Sequence, residues 1–231
     1  ATQKLTIMVV ESTSPLKRIA VFYDGSFFTN VSQFYKYQHV RKSSLSFDGL
    51  HEFIRQKVAE KETSGNTSLC QIVEAHFFRG RFSLKSVQGL ADPRKQLEGD
   101  RFYDQLLMHS GIVTHFFPMN ENVNPPEEKR IDVWLALEAY DLAVHKRYDV
   151  LVLFACDQDF VPLIRKVNSI DTRVLFISVN ITTDGQGNTI PKPIYSSQKL
   201  IDEASYTIML DEEINSKKSK GDTTIDNLFV K

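Results

Sequence analysis

Val150-Leu151-Val152-Leu153-Phe154-Ala155-Cys156-Asp157-Gln158-Asp159 is a run of seven apolar residues stopped by an Asp-x-Asp. An apolar run this short, without alternation, reads as a strand covered on both faces, and strands of that kind belong to parallel sheets between two layers of helix. Arg18-Ile19-Ala20-Val21-Phe22-Tyr23-Asp24 repeats the pattern. Each strand ends in an aspartate at the point where the chain turns away.

The segments around these strands alternate in type. Leu69–Phe78, Ile112–Phe117 and Arg173–Val179 read as further strands, and Tyr206–Leu210 as an edge strand after a closing segment, Ser196–Ala204. Helical spacing is found over Phe27–Tyr37, over Asp48–Glu62 with Leu50, Phe53, Ile54 and Val58 on one stripe, and over Phe160–Asn168. Arg94–His109 is stopped by Ser110-Gly111, and Glu127–Lys146 carries Ile131, Trp134, Leu135, Leu137 and Leu142. Arg81–Asp92 has no period and is a candidate flap; Thr182–Asn188 is a polar loop. Alternating strands and helices with right-handed crossovers predict a three-layer α/β/α fold with a mainly parallel sheet in the order 3-2-1-4-5. The expected division is an arm over residues 1–17, one domain over 18–210 and a flexible, charge-rich tail over 211–231.

Bulk properties narrow the function. With 42% hydrophobic and 25% charged residues the chain has ordinary globular composition. Its net charge of −1 gives no global field to gather nucleic acid, so a polyanion would have to meet a local basic patch. The two cysteines, Cys70 and Cys156, allow at most one bridge, which suits a reducing compartment. Leu5–Val10 is too short for a signal-peptide core, and no apolar run approaches the ~18 residues that cross a bilayer. The expectation is a cytoplasmic protein without membrane contact; a homo-oligomer is compatible with it.

In the order 3-2-1-4-5 the first and fourth strands are neighbours, and Asp24 and Asp157 close them at the crevice where the winding reverses and ligands bind. Asp159 lies two residues on, and Asp132 sits in the first turns of the long helix. Any one of these could merely cap a helix. Four at one rim repel by about 4 kcal/mol per close pair at an effective dielectric of ~20. One or two hard divalent cations, Mg²⁺ or Mn²⁺, would cancel that cost.

Three stretches carry a resemblance. Val21-Phe-Tyr-Asp24-Gly25-Ser26, Glu128-Lys129-Arg130-Ile131-Asp132-Val133 and Val152-Leu-Phe-Ala-Cys-Asp157-Gln-Asp159-Phe160-Val-Pro162-Leu163 resemble the NYN domain of the LabA-like family, which is similar to PIN-domain nucleases. The resemblance covers roughly Arg18 to Val179. It implies a PIN-like α/β fold and a metal-dependent endoribonuclease in which Asp24, Asp132, Asp157 and Asp159 are catalytic and hold the metal. Two departures stand out. Ala155-Cys156 replaces the family's usual Ser-Gly, which removes a hydroxyl, and Phe27 or Phe28 stands where an Asn often follows the first Asp-Gly.

Two functions follow: hydrolysis of single-stranded or structured RNA, or a catalytically weak or inactive RNA-binding module on the same fold. Lys129 and Arg130 flank Asp132, and Arg79 and Arg81, with Arg94 and Lys95, cluster at the second strand's exit; these either line a phosphate groove or are ordinary solvated surface. Phe27 and Phe28 either stack on unpaired bases or, the weightier reading, fill the core. His76, His109 and His115 read as structural, and Cys156 as a small thiol, since Mg²⁺ prefers oxygen. An aspartyl phosphatase would need Asp-x-Asp directly after the first strand, and no G-x-G-x-x-G is present there for a dinucleotide.

Overall fold

Ile19 to Tyr23 and Val150 to Ala155 are all fully buried, as strands covered on both faces must be. In the computed structural model, which describes residues 16–123, 126–216 and 223–230, the chain opens with β1 (Lys17–Asp24), α1 (Gly25–Tyr37) and α2 (Phe47–Glu62). It continues through β2 (Cys70–Arg81), α3 (Leu84–Gln88), α4 (Pro93–His109), β3 (Val113–Pro118), α5 (Ile131–Lys146), β4 (Val150–Phe154), α6 (Val161–Asn168) and β5 (Arg173–Ser178). A hairpin of β6 (Asn180–Thr183) and β7 (Thr189–Tyr195) precedes α7 (Gln198–Glu203), β8 (Tyr206–Met209), α8 (Leu210–Asn215) and α9 (Thr223–Asn227).

The central sheet has the order β3-β2-β1-β4-β5-β8, and every neighbouring pair is parallel. The expected order 3-2-1-4-5 is present, extended by β8 at one edge. Pleating sorts the side chains into two cores. Ile19, Val21, Tyr23, Val152 and Phe154 pack with residues of α1 and α2, together with Leu107 and Ile112. Ala20, Phe22, Leu151 and Leu153 pack on the other face with Ile131, Leu135, Ala139 and Ala143 of α5 and with α6. Each fully buried Phe or Leu contributes about 2–3 kcal/mol of transfer free energy.

Several elements differ from expectation. The region from 211 onward is not a free tail where it is described: Asp211 and Ile214 of α8 are buried, and Ile225, Leu228 and Phe229 join the α1/α2 core. Leu228 O accepts from Ser46 N at 2.8 Å, and a Cβ on Gly49 would lie 1.8 Å from Asn227 O, so α2 and α9 meet backbone to backbone. Charge and small polar residues mask the few apolar anchors in that segment. The long helix starts at Ile131 rather than Glu127, because Arg130 adopts a left-handed φ of 74° and Glu127 bridges back to Asn120. The candidate flap contains α3, capped by the Ser83 hydroxyl accepting from Ser86 N, with Val87 buried beneath it. Thr182–Asn188 is the turn of a hairpin. The arm falls outside the described residues except for Leu16 and Lys17, where β1 begins.

Candidate active site

β1 passes into α1 without a loop. Asp24 ends the strand, caps the helix and accepts from Ser26 N and Phe27 N at 3.1 Å each, all through Oδ1. Gly25 is required by crowding, since a Cβ there would lie 2.5 Å from Phe78 O and 2.6 Å from the Phe77 ring. β4 ends one residue before Ala155-Cys156, and Asp157 Oδ1 accepts from Asp159 N at 3.0 Å to cap a single 3₁₀ turn, Gln158–Phe160. Asp24 and Asp157 are therefore true caps. In both, the cap uses Oδ1 and leaves Oδ2 for other company. Asp132 lies in the first turn of α5.

The electrostatics tie these groups together. Burial pushes the Asp24 carboxyl up to about 7, with Asp132 and Glu128 adding to the rise and the Phe27 and Ser26 amides opposing it. Asp132 is also raised, first by desolvation and then by Asp157, Glu128 and Asp159. It is exposed at the rim, so its shift carries less weight than that of Asp24, which is 9% exposed. Burial, reinforced by Asp24, Asp157 and Asp132, pushes the Cys156 thiol up to about 12. Among the described residues none of Asp24, Glu128, Asp132, Asp157 or Asp159 forms an ion pair.

Glu128 is the member that sequence reasoning missed. Its Oε1 accepts from Gly80 N at 2.7 Å and its Oε2 from the Ser26 hydroxyl at 2.5 Å, which joins the approach to α5, the end of β2 and the start of α1. A Cβ on Gly80 would lie 2.3 Å from Met119 Sδ and 2.6 Å from Glu128 Cγ, so the glycine makes room for this latch. The available signal was a glycine at a strand exit and an acid four residues before Asp132.

The basic residues divide. Arg81 pairs with Asp104 and stacks 3.6 Å over Phe116; Arg79 lies 5.6 Å over Tyr103. Both line a small cavity of about 80 Å³ shared with Glu128 and Met119. Lys129 pairs with Glu127 at 2.8 Å on an exposed surface, and Arg130 is exposed. Phe27 and Phe28 are buried against Phe154, which removes the base-stacking reading. His76 bonds His115 at 3.0 Å and Glu74 at 3.0 Å, and neither ring bonds one of the four aspartates.

The donor set is hard oxygen with uncompensated negative charge, which fits Mg²⁺ or Mn²⁺. The fit lies in chemistry and charge, not in a finished cage: among the described residues no three His, Cys, Asp or Glu side chains are already gathered as a ligand set.

The NYN domain profile matches residues 18–211. A crystal structure of a Vibrio parahaemolyticus protein of unknown function superposes with a TM-score of 0.55 at 18% identity, covering 88% of this chain and 98% of that one, a likeness of fold alone. No curated protein matches the chain.

Proposed function

The chain belongs to the NYN domain family, whose fold is of the PIN-like nuclease type, and from that premise we propose that it is a Mg²⁺- or Mn²⁺-dependent endoribonuclease acting on single-stranded or structured RNA in the cytoplasm. The observation that carries the reading is a buried carboxyl, Asp24, sharing one field with Asp132, Asp157, Asp159 and Glu128, with no cationic side chain among the described residues paired to any of them. Among the described residues no helix is long and apolar enough to cross a membrane.

Asp24, Asp132, Asp157 and Asp159 would hold the metal. When bound, it would supply a lowered pKa for water and charge stabilisation at the phosphoryl oxygens. The chain's own residues do the positioning. The α1 cap orients Asp24 and the 3₁₀ cap orients Asp157, so neither carboxylate has to be ordered when substrate arrives. Glu128 keeps the entrance to α5, and with it Asp132, against the start of α1 and the end of β2. Arg130, exposed beside Asp132, would meet a backbone phosphate, joined by Lys129 once it leaves Glu127, its partner on the exposed surface; Arg81 pairs with Asp104.

The Ala155-Cys156 departure favours a second reading, an RNA-binding module with little catalysis. Cleavage of a labelled single-stranded RNA in Mn²⁺ or Mg²⁺ separates the two. Wild type should cut and Asp157→Asn should not. Wild-type cutting no faster than the variant, with RNA still bound, would establish the binding module instead.

A further inference from the structure

α5 carries apolar residues on two opposite faces. Its inner stripe, Ile131, Leu135, Ala139 and Ala143, is buried in the sheet's second core. On the opposite side Val133, Leu137 and Val144 are 63%, 65% and 41% exposed, and the half-buried Tyr140 lies between them. A helix with two apolar faces is ordinarily enclosed on both. The sequence set places Leu137 among core residues, yet the structure turns it to solvent.

We propose that this outer stripe is the two-fold interface of a homodimer, in which α5 packs antiparallel on α5 of a second copy. Spacing gives the first argument. Val133, Leu137, Tyr140 and Val144 are separated by four, three and four residues, a seam of the coiled-coil type. The spacing reads the same in both directions. A two-fold interface requires that when residue i meets j, j also meets i. Antiparallel pairing about the point between Leu137 and Tyr140 satisfies this: Val133 meets the partner's Val144, and Leu137 meets the partner's Tyr140.

Charge gives the second argument and selects the direction. The first turn of α5 carries Asp132, and Arg147 follows its last turn; neither forms an ion pair among the described residues, whereas His145 and Lys146 already pair with Asp141 and Glu74. Parallel packing would set like ends together. Antiparallel packing sets the acidic end against the basic end and opposes the helix dipoles. It would also bring Arg147 to the mouth of the carboxylate cluster, where this chain's own Arg81 is already neutralised. That last consequence rests on the nuclease reading, whereas the pairing itself does not.

The test is the mass in solution together with directed cross-linking. A single helix pair buries less than the ~800 Å² per partner of a standard interface, so association should be reversible and is read by sedimentation up to about 300 μM. Wild type should approach twice 26.5 kDa at the upper end. Leu137→Glu should stay at 26.5 kDa throughout with an unchanged thermal melt. For direction, a Val133→Cys/Val144→Cys double variant should oxidise to a linked dimer, whereas Val133→Cys alone should not, its two sulfurs being about 16 Å apart along the antiparallel pair. Wild type, with its native Cys70 and Cys156, serves as the control. A wild type that remains monomeric at the highest concentration, a Leu137→Glu variant that still dimerises, or self-linkage of Val133→Cys as efficient as that of the double variant would each overturn the proposal. None of these results depends on whether the protein cleaves RNA.

Discussion

Replacing Asp24 by Asn should make the metal-free protein more stable at alkaline pH. In the folded chain the Asp24 carboxyl titrates at about 7, against 3.8 for an ordinary aspartate, chiefly because it is buried. The folded state therefore holds this proton more tightly than the unfolded state does. Its contribution to stability is complete below pH ~4 and is lost as pH rises through ~7. A shift of about three units corresponds to roughly 4 kcal/mol. Asn keeps an oxygen to accept from Ser26 N and Phe27 N, so the cap survives while the charge does not. In EDTA at pH 8.5, Asp24→Asn should raise the melting temperature by on the order of 10 °C, at about 2–4 °C per kcal/mol for a chain of this size. At pH 4 the two proteins should melt together. Added Mg²⁺ should stabilise wild type by about 1.4 kcal/mol at ten times its dissociation constant and leave the variant unmoved. Thermal denaturation followed by circular dichroism across this pH range is the assay. A variant that melts at or below wild type at pH 8.5 would refute the reasoning, because it would mean that ionised Asp24 is not a burden on the fold.

Gly80→Ala should push Glu128 from its seat, costing about 1–3 kcal/mol in a urea titration and lowering any RNA cleavage at least tenfold. Leu228→Ala should destabilise by about 2–5 kcal/mol, measured by the same titration, whereas a free tail would give no change. Lys129→Ala and Arg130→Ala should each weaken RNA binding similarly for all sequences and reduce the slope of log affinity against log salt by about one, read by fluorescence anisotropy.

The parts of the fold legible in the sequence are those fixed by repetition along the chain. β1 and β4 announce themselves because residues covered on both faces leave no polar position in the run. Asp24, Asp157 and Asp159 follow from those strands, since a strand's end fixes where the next residue stands. Glu128 was not legible, because its role comes from Gly80 and Ser26, distant in sequence, and because the left-handed Arg130 separates it from α5. Composition also misled at the C-terminal segment, where four apolar residues, Ile214, Ile225, Leu228 and Phe229, matter more than the charges around them. The outward face of α5 was hidden for a related reason: apolar spacing tells that a surface is covered, not which molecule covers it.

The contact between α2 and residues 227–229 has a consequence for how the molecule is made. α1 and α2 are synthesised early, yet the apolar surface they share with Phe229 and Leu228 stays open until that segment, more than 150 residues downstream, arrives to close it. A nascent chain that has completed the sheet through β5 still exposes part of that surface to chaperones and to its neighbours on the polysome. The last apolar side chains to join this core are those of Leu228 and Phe229.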